Sequence, residues 1–330
     1  MEGQGSGGGR EAGDVCGASA GGEALEAVTV AGIHCRHPVW TASGCCNYGR
    51  ELSALYPLTE LGALCVKGTS LRPWTGNPGP RIAETASGML NAIGLQNPGV
   101  EHLLAVDLPW LAAAGATVVV NLVGRTLREY QEVAARVSAA PADTVAGLEL
   151  NISCPNVQEG GLQFGDDPRA AAAVTAAVRA VTPLPLLVKL SPNSANTVAV
   201  AEAVAQAGAD GLSIMNTLLG LRLDLRRRRP LLANVTGGLS GPAVKPVALR
   251  LVWEVSRAVD LPVVGVGGVC TGLDAAEFLL AGASAVQVGT ALFTDPWAPL
   301  RIREELRSWM RAEGVRSVGE IVGAAHPRGG

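Results

Sequence analysis

The chain has 330 residues, 48% of them hydrophobic and 17% charged, with a formal net charge of −3 at pH 7. That length suits one α/β barrel or two ordinary domains with a large core, and the near-neutral balance gives no electrostatic ground for binding nucleic acid or an anionic membrane. No stretch reaches the ~18 unbroken apolar residues of a membrane span, and the N-terminus lacks a secretory signal pattern, so the expected location is cytoplasmic. Seven scattered cysteines without a C-x-x-C pair read as thiols, and with four dispersed histidines they offer no ligand spacing, so no metal is expected.

Residues 1–26 are Gly-rich and nearly devoid of large apolar side chains, which predicts a disordered tail ahead of a single domain over 27–330. The formal G-x-G-x-x-G match at Gly3, Gly5 and Gly8 has no strand before it and no helix after it, so a dinucleotide site is rejected there. His34, Cys35 and His37 follow, read as a loop before a strand.

Eight apolar runs then succeed one another: PVWTASG (38–44), ALCVKG (63–68), ATVVVNLVG (116–124), AGLELNIS (146–153), PLLVKLS (185–191), DGLSIMN (210–216), PVVGVGG (262–268) and SAVQVGT (284–290). Each is apolar nearly throughout, as expected of parallel strands covered on both faces, and helical patterns such as DPRAAAAVTAAVRAVT intervene. Eight βα units in one chain predict an α/β protein with a closed (β/α)8 TIM barrel. In such barrels chemistry lies where the strands end, so the polar residues closing these runs are candidate ligand contacts: Ser43, Lys67, Asn121, Asn151, Lys189, Asn216, Gly267 with Gly268, and Gly289 with Thr290.

Several constellations bear on the chemistry. The glycines ending the seventh and eighth runs, with Thr271 and Asp274 at capping-box spacing before a helix, suit a phosphate, although a turn without a ligand would look similar. Lys67 and Lys189 leave two chemistries open: a Schiff base, as in an aldolase, or a positive charge beside an electron-rich ring or a carboxylate, as in a flavin site. Asn91, in the long connection after the second run, together with Asn151, Asn216 and Thr217 would grip a flat ring bearing C=O and N–H groups. Cys65 and Cys270 read as buried small hydrophobes. Cys154 follows the polar end of the fourth run and so belongs on the ligand face; with no histidine on a strand-end loop to activate a nucleophile, general base is the better role.

The stretches TASG, GNPGPRIAETASGMLNAIGLQNPG, NISCPNV, VKLSPN, MNTLLG, GGLSGPAVKP, GVGGV and VQVGTALF, spread from about residue 28 to 325, resemble the dihydroorotate dehydrogenases, FMN enzymes of pyrimidine biosynthesis. The resemblance implies that Cys154 takes the C5 proton of dihydroorotate while hydride passes from C6 to FMN, yielding orotate. It implies that Lys67 contacts substrate and flavin, and that Asn91, Ala92, Ile93, Gly94, Leu95, Asn151, Asn216 and Thr217 hold the pyrimidine ring and its carboxylate. It further implies that Ser43, Lys67, Gly68, Asn121, Asn151, Lys189, Met215, Gly241, Gly267, Gly268, Gly289 and Thr290 bind FMN, the last four at its phosphate. A cysteine base looks like class 1, and the wording is most similar to class 1B, which implies a homodimer of this chain in a heterotetramer with a partner subunit that carries FAD and a [2Fe–2S] cluster and passes electrons to NAD. A flavin barrel resembling dihydropyrimidine dehydrogenase, acting on uracil or thymine, is the nearest alternative. A Schiff-base aldolase using Lys67 or Lys189 is the alternative of another class.

One feature departs from this pattern. After TASG the family usually continues with residues such as Thr-Phe, whereas this chain has CCNYGRE, placing Cys45 and Cys46 near the expected flavin edge. The RRRR run at 226–229 reads as a solvated loop face, with an acidic partner surface as the alternative.

Overall fold

The computed structural model describes residues 26–141, 143–152, 158–159, 162–163 and 165–327. Eight parallel strands close into a barrel in chain order: β1 (Val39–Thr41), β2 (Leu64–Cys65), β3 (Val118–Leu122), β4 (Gly147–Asn151), β5 (Leu186–Lys189), β6 (Gly211–Ile214), β7 (Val263–Val266) and β8 (Ala283–Val288). Each strand pairs only with its chain neighbours, and β8 returns to β1 through Val286–Val39 and Val288–Thr41. Seven of the strands lie inside their apolar runs and β8 starts one residue ahead of its run, at Ala283; all are shorter than the runs, because the last residues of each run turn out of the ladder into the mouth.

The helices outside the barrel follow from their sequence spacing. Leu127–Ser138 is capped by Thr126, whose hydroxyl accepts from the Glu129 amide, and it buries Tyr130, Val133, Ala134 and Val137, the one-face repeat of an amphipathic helix. Pro168–Arg179 and Thr197–Gln206 are capped by Asp167 and Asn196 and bury corresponding faces. The outer layer between strands and helices is one large apolar cluster. Inside the barrel a smaller cluster of Trp40, Cys65, Val119, Leu187, Val264 and Ala285 fills the lower half.

Two additions were not foreseen. His34 and Cys35 are not in a loop: Val28–Val30 and Ile33–Cys35 form an antiparallel hairpin whose Val30 and Ile33 join the interior cluster and so close the barrel at its N-terminal end. Glu26 just before it is buried and held by Arg303 and Arg307. At the opposite end a four-stranded antiparallel sheet covers part of the mouth, in the order Leu218–Leu221, Thr236–Ser240, Gly88–Asn91, Ile82–Thr85. The arginine run sits beyond this sheet in the small hairpin Leu223–Asp224 with Arg229–Pro230, where Arg226, Arg227, Arg228 and Arg229 are exposed. No helix among the described residues is long and apolar enough to cross a membrane.

Candidate active site

Between the strand ends and the mouth sheet lies a cavity of about 1090 Å³. Ser43, Lys67, Gly68, Asn91 through Leu95, Asn121, Asn151, Lys189, Met215, Asn216, Thr217, Gly241, Gly267, Gly268, Gly289 and Thr290 all line it. These positions come from all eight strand ends and two mouth strands, so the fold brings together residues as far apart as 43 and 290. Cys154 lies outside the described residues. None of the four histidines is among the lining residues, as the strand-end argument requires.

The cavity floor is built on a buried carboxylate. Glu149 on β4 is fully buried, and two residues on, the same inward face carries Asn151 into the cavity. Asn121 Nδ2 donates to Glu149 Oε1 at 2.7 Å, while Ser213 Oγ and Gln287 Nε2 each donate to Oε2 at 2.8 Å. Cys65 Sγ donates to Oε1 at 3.3 Å, and Lys189 Nζ reaches the same oxygen at 3.3 Å. Burial by itself pushes this carboxyl up, but Lys189 and the three neutral donors outweigh it and hold the group below the ordinary range. Burial likewise pulls Lys189 down, and Glu149 more than reverses it, leaving the ammonium pKa raised.

The two lysines therefore differ. Lys189 is locked as a cation, donating also to Ser43 Oγ at 3.4 Å and Gln287 Oε1 at 3.5 Å. Lys67 has no carboxylate partner among the described residues, and burial lowers its pKa. A carboxylate only accepts, so the Asn121 amide must turn its nitrogen to Glu149; Oδ1 is then left buried, without a partner among the described residues, on a side chain that lines the cavity. An imide N–H, such as the isoalloxazine ring carries, would satisfy that oxygen.

At the glycine end, Gly241, Gly267 and Gly268 all have positive φ, 100°, 128° and 78°. A Cβ on Gly268 would stand 2.8 Å from Lys245 Cβ and 2.9 Å from the Gly241 carbonyl, so these loops approach each other as only bare backbone allows. Backbone exposed in this way suits a phosphate. The helix N-terminus expected to assist does not face a ligand. Asp274 accepts from the Cys270 and Thr271 amides, and Glu305 accepts from the Gly272 amide, so Gly272–Leu280 is capped internally by carboxylates. The elements that line the cavity at this end are the glycine loops and the short turn Thr290–Phe293, whose Thr290 donates to Ser240 Oγ at 2.8 Å.

The mouth sheet carries the other wall. Asn91 Nδ2 donates to the Gly238 carbonyl at 3.4 Å; a Cβ on Gly238 would strike Thr217 Oγ1 at 1.9 Å and one on Gly237 would stand 2.8 Å from the Asn91 carbonyl, which explains the glycine pair in TGGLS. Gly94 and Leu95 both have positive φ, 74° and 54°, and Leu95 is held there by Asn97, whose Nδ2 donates to its carbonyl at 2.8 Å.

The sequence profile described as dihydroorotate dehydrogenase matches residues 25–310. The chain belongs to the dihydroorotate dehydrogenase family. Curated relatives named dihydroorotate dehydrogenase B (NAD(+)), catalytic subunit, agree with the class 1B wording. The one from Geotalea uraniireducens is 54% identical over 297 residues, covering 90% of this chain and 97% of the relative. That from Anoxybacillus flavithermus is 51% identical over 303 residues, covering 92% and 96%. A crystal structure of the Eimeria tenella enzyme in complex with ferulenol shares the fold, with TM-score 0.73 and 23% identity, covering 92% of this chain and 89% of that one.

Three features of this family member escaped the sequence. Glu149 and Gln287 are lone polar residues inside apolar runs, at inward positions two residues before Asn151 and Gly289, and that register was the available signal. Asn97 lies in the quoted QNPG but was not singled out. Cys270, expected to be a buried hydrophobe, is only partly buried and lines the cavity. Cys65 is fully buried as expected, yet its thiol serves Glu149. Cys45 lines the cavity, its thiol pushed up to about 11 by burial against the pull of Lys189 and Lys67; Cys46 is buried and donates to Thr41 Oγ1 at 3.5 Å.

Proposed function

We propose that this chain is the FMN-bearing catalytic subunit of a class 1B dihydroorotate dehydrogenase, oxidising dihydroorotate to orotate for pyrimidine biosynthesis. When bound, FMN supplies the acceptor for the C6 hydride of the substrate. Cys154, on the segment leaving β4, is the base that takes the C5 proton. Lys67, Asn91 through Leu95, Asn151, Asn216 and Thr217 orient the pyrimidine ring and its carboxylate; Ser43, Gly68, Asn121, Lys189 and Met215 hold the flavin ring; Gly241, Gly267, Gly268, Gly289 and Thr290 hold its phosphate side. The observation that carries this reading is Asn121, whose buried Oδ1 lacks a partner among the described residues, beside a fixed cation, Lys189.

Electrons leave for NAD through a partner subunit with FAD and a [2Fe–2S] cluster, in a cytoplasmic heterotetramer built on a homodimer of this chain. The catalytic domain runs from residue 27, after a Gly-rich tail whose last residue, Glu26, packs against it between Arg303 and Arg307. The names of the curated relatives, which are catalytic subunits of NAD-type enzymes, support this division of labour.

The test is direct. Purified protein is expected to be yellow with about one FMN per chain, and anaerobic dihydroorotate is expected to bleach it. A colourless protein inactivated by borohydride only in the presence of a carbonyl substrate, whose imine with a lysine the hydride reduces, would point to Lys67, the lysine whose pKa is lowered, and sink the flavin reading. Turnover of uracil without reaction of dihydroorotate would move the assignment to a dihydropyrimidine dehydrogenase type. Cys154→Ala is expected to slow flavin reduction by dihydroorotate about 10²- to 10⁴-fold, the usual worth of a positioned base.

A further inference from the structure

Glu149 sits one layer below the cavity-lining residues, is absent from the lining itself, and is served from five other strands or their ends: Cys65 on β2, Asn121 on β3, Lys189 on β5, Ser213 on β6 and Gln287 on β8. A carboxylate placed in the dry centre of a barrel is costly unless it is paired and fully hydrogen-bonded, and here both oxygens are. Cavity filling alone would be met by an apolar side chain. What the carboxylate adds is orientation and charge: its presence fixes which end of the Asn121 amide points into the cavity, and it is the only carboxylate on Lys189 among the described residues.

We propose that Glu149 is a positioning residue for the flavin: it sets the direction of Asn121 and keeps Lys189 cationic at the cavity floor, so that the charge offered to the isoalloxazine is fixed by the protein across the working pH range. This rests on the reading of the cavity as the FMN site. Among the described residues Lys189 is otherwise faced by neutral or weakly acidic groups: the thiols of Cys65 and Cys45, both raised by burial, the Ser43 hydroxyl and the Gln287 amide, with Lys67 as the other cation at the same mouth. Without Glu149, the burial that pulls the Lys189 pKa down loses its largest opponent, and the proposal requires the lysine then to lose its proton within the working range. A neutral amine under the ring would then recover a proton whenever the flavin is reduced.

The experiment compares wild type with Glu149→Gln and with the charge-free pair Glu149→Gln/Lys189→Met, measuring FMN midpoint potential against pH and FMN affinity of the apoprotein by fluorescence. Glu149→Gln is expected to bind FMN on the order of tenfold more weakly, the worth of one charge-assisted contact, and its potential is expected to fall more steeply with pH, by one additional proton per two electrons. The double variant is expected to show the wild-type proton count with weaker FMN binding at every pH. A Glu149→Gln protein whose pH slope matches wild type overturns the proposal. Where the single variant fails to fold, the variant-free measurement that follows supports or overturns the proposal by itself. A measurement free of variants is the Cε resonance of Lys189 in ¹³C-lysine-labelled apoprotein: it is expected to remain at its ammonium position past pH 10.5, the ordinary lysine value, and deprotonation below that overturns the proposal. Because the apoprotein reports on the pair directly, failure to bind FMN would refute the functional reading and leave this test standing.

Discussion

Asn97 shows how a single side chain can set a loop at the cavity wall, the one proposed to hold substrate. Its Oδ1 accepts from the Ser70 amide at 3.1 Å, the Ser70 hydroxyl at 3.0 Å and the Gly99 amide at 2.9 Å, while its Nδ2 holds the Leu95 carbonyl. The side chain is buried, so truncation strands buried donors, at about 1–3 kcal/mol for each group left unsatisfied. It also releases Leu95 from a left-handed backbone conformation that a leucine does not adopt unaided. Asn97→Ala is therefore expected to lower thermal stability and to raise KM for dihydroorotate more than it lowers kcat, because the loop it frees is proposed to bind substrate and the proposed base does not lie on it. Unchanged KM in steady-state kinetics would detach residues 93–95 from the substrate.

At the level of elements, the phosphate end separates two explanations that the sequence had merged. Thr271 and Asp274 form a capping box that serves their own helix, whereas Gly268 lies at a close approach of two loops beside the cavity. Thr271→Ala is expected to cost about 1 kcal/mol of stability, the usual worth of an N-cap, with FMN content near wild type. Gly268→Ala is expected to lose most of its FMN, since its φ of 78° and the 2.8 Å approach to Lys245 both reject a methyl group. FMN per chain by absorbance after desalting distinguishes them. The same contrast shows what could be read from the chain. Strands buried on both faces betray themselves as apolar runs, so β1–β8 and the polar residues closing them were visible. The mouth sheet was not, because Leu90 pairs with Leu239 across some 150 residues and its strands are short and glycine-bearing, without a period to detect. Glu149 stayed hidden for the opposite reason: a lone charge in LELN has no pattern around it, and only barrel closure supplies the partners that explain it.

For the whole molecule, the N-terminal hairpin, the loop around Glu60 and the C-terminal helix Ala298–Ala312 meet beneath the barrel, and His37 lies at their junction. Its Nε2 donates to the Glu60 carbonyl at 2.8 Å and its Nδ1 accepts from the Val39 amide at 3.2 Å, a pair of bonds that only the neutral ring can make. Around it, Glu26 is buried between Arg303 and Arg307, and Arg303 also reaches Glu60. Burial is the largest influence on the imidazole and lowers its pKa from 6.5 to about 4, with the Glu60 bond opposing and Arg303 assisting. The sign follows from linkage. The unfolded chain takes up the proton near 6.5 and the folded chain resists it until about 4, so the contribution is complete above pH 6.5 and is lost as pH falls through that window. At about 1.4 kcal/mol per pKa unit the whole effect is on the order of 3 kcal/mol. Glu149, whose carboxyl is held down, adds its own loss only at still lower pH, beneath the ordinary value of 4.5. Urea unfolding midpoints at intervals from pH 8 to pH 4 are thus expected to stay level down to about 6.5 and then decline. His37→Asn is expected to be less stable at neutral pH yet to decline less over that interval, and the His37 Cε1 proton of the wild type should titrate near 4. A wild-type midpoint that holds level to pH 4.5, or a His37→Asn curve parallel to it, would remove the imidazole as the source of acid sensitivity.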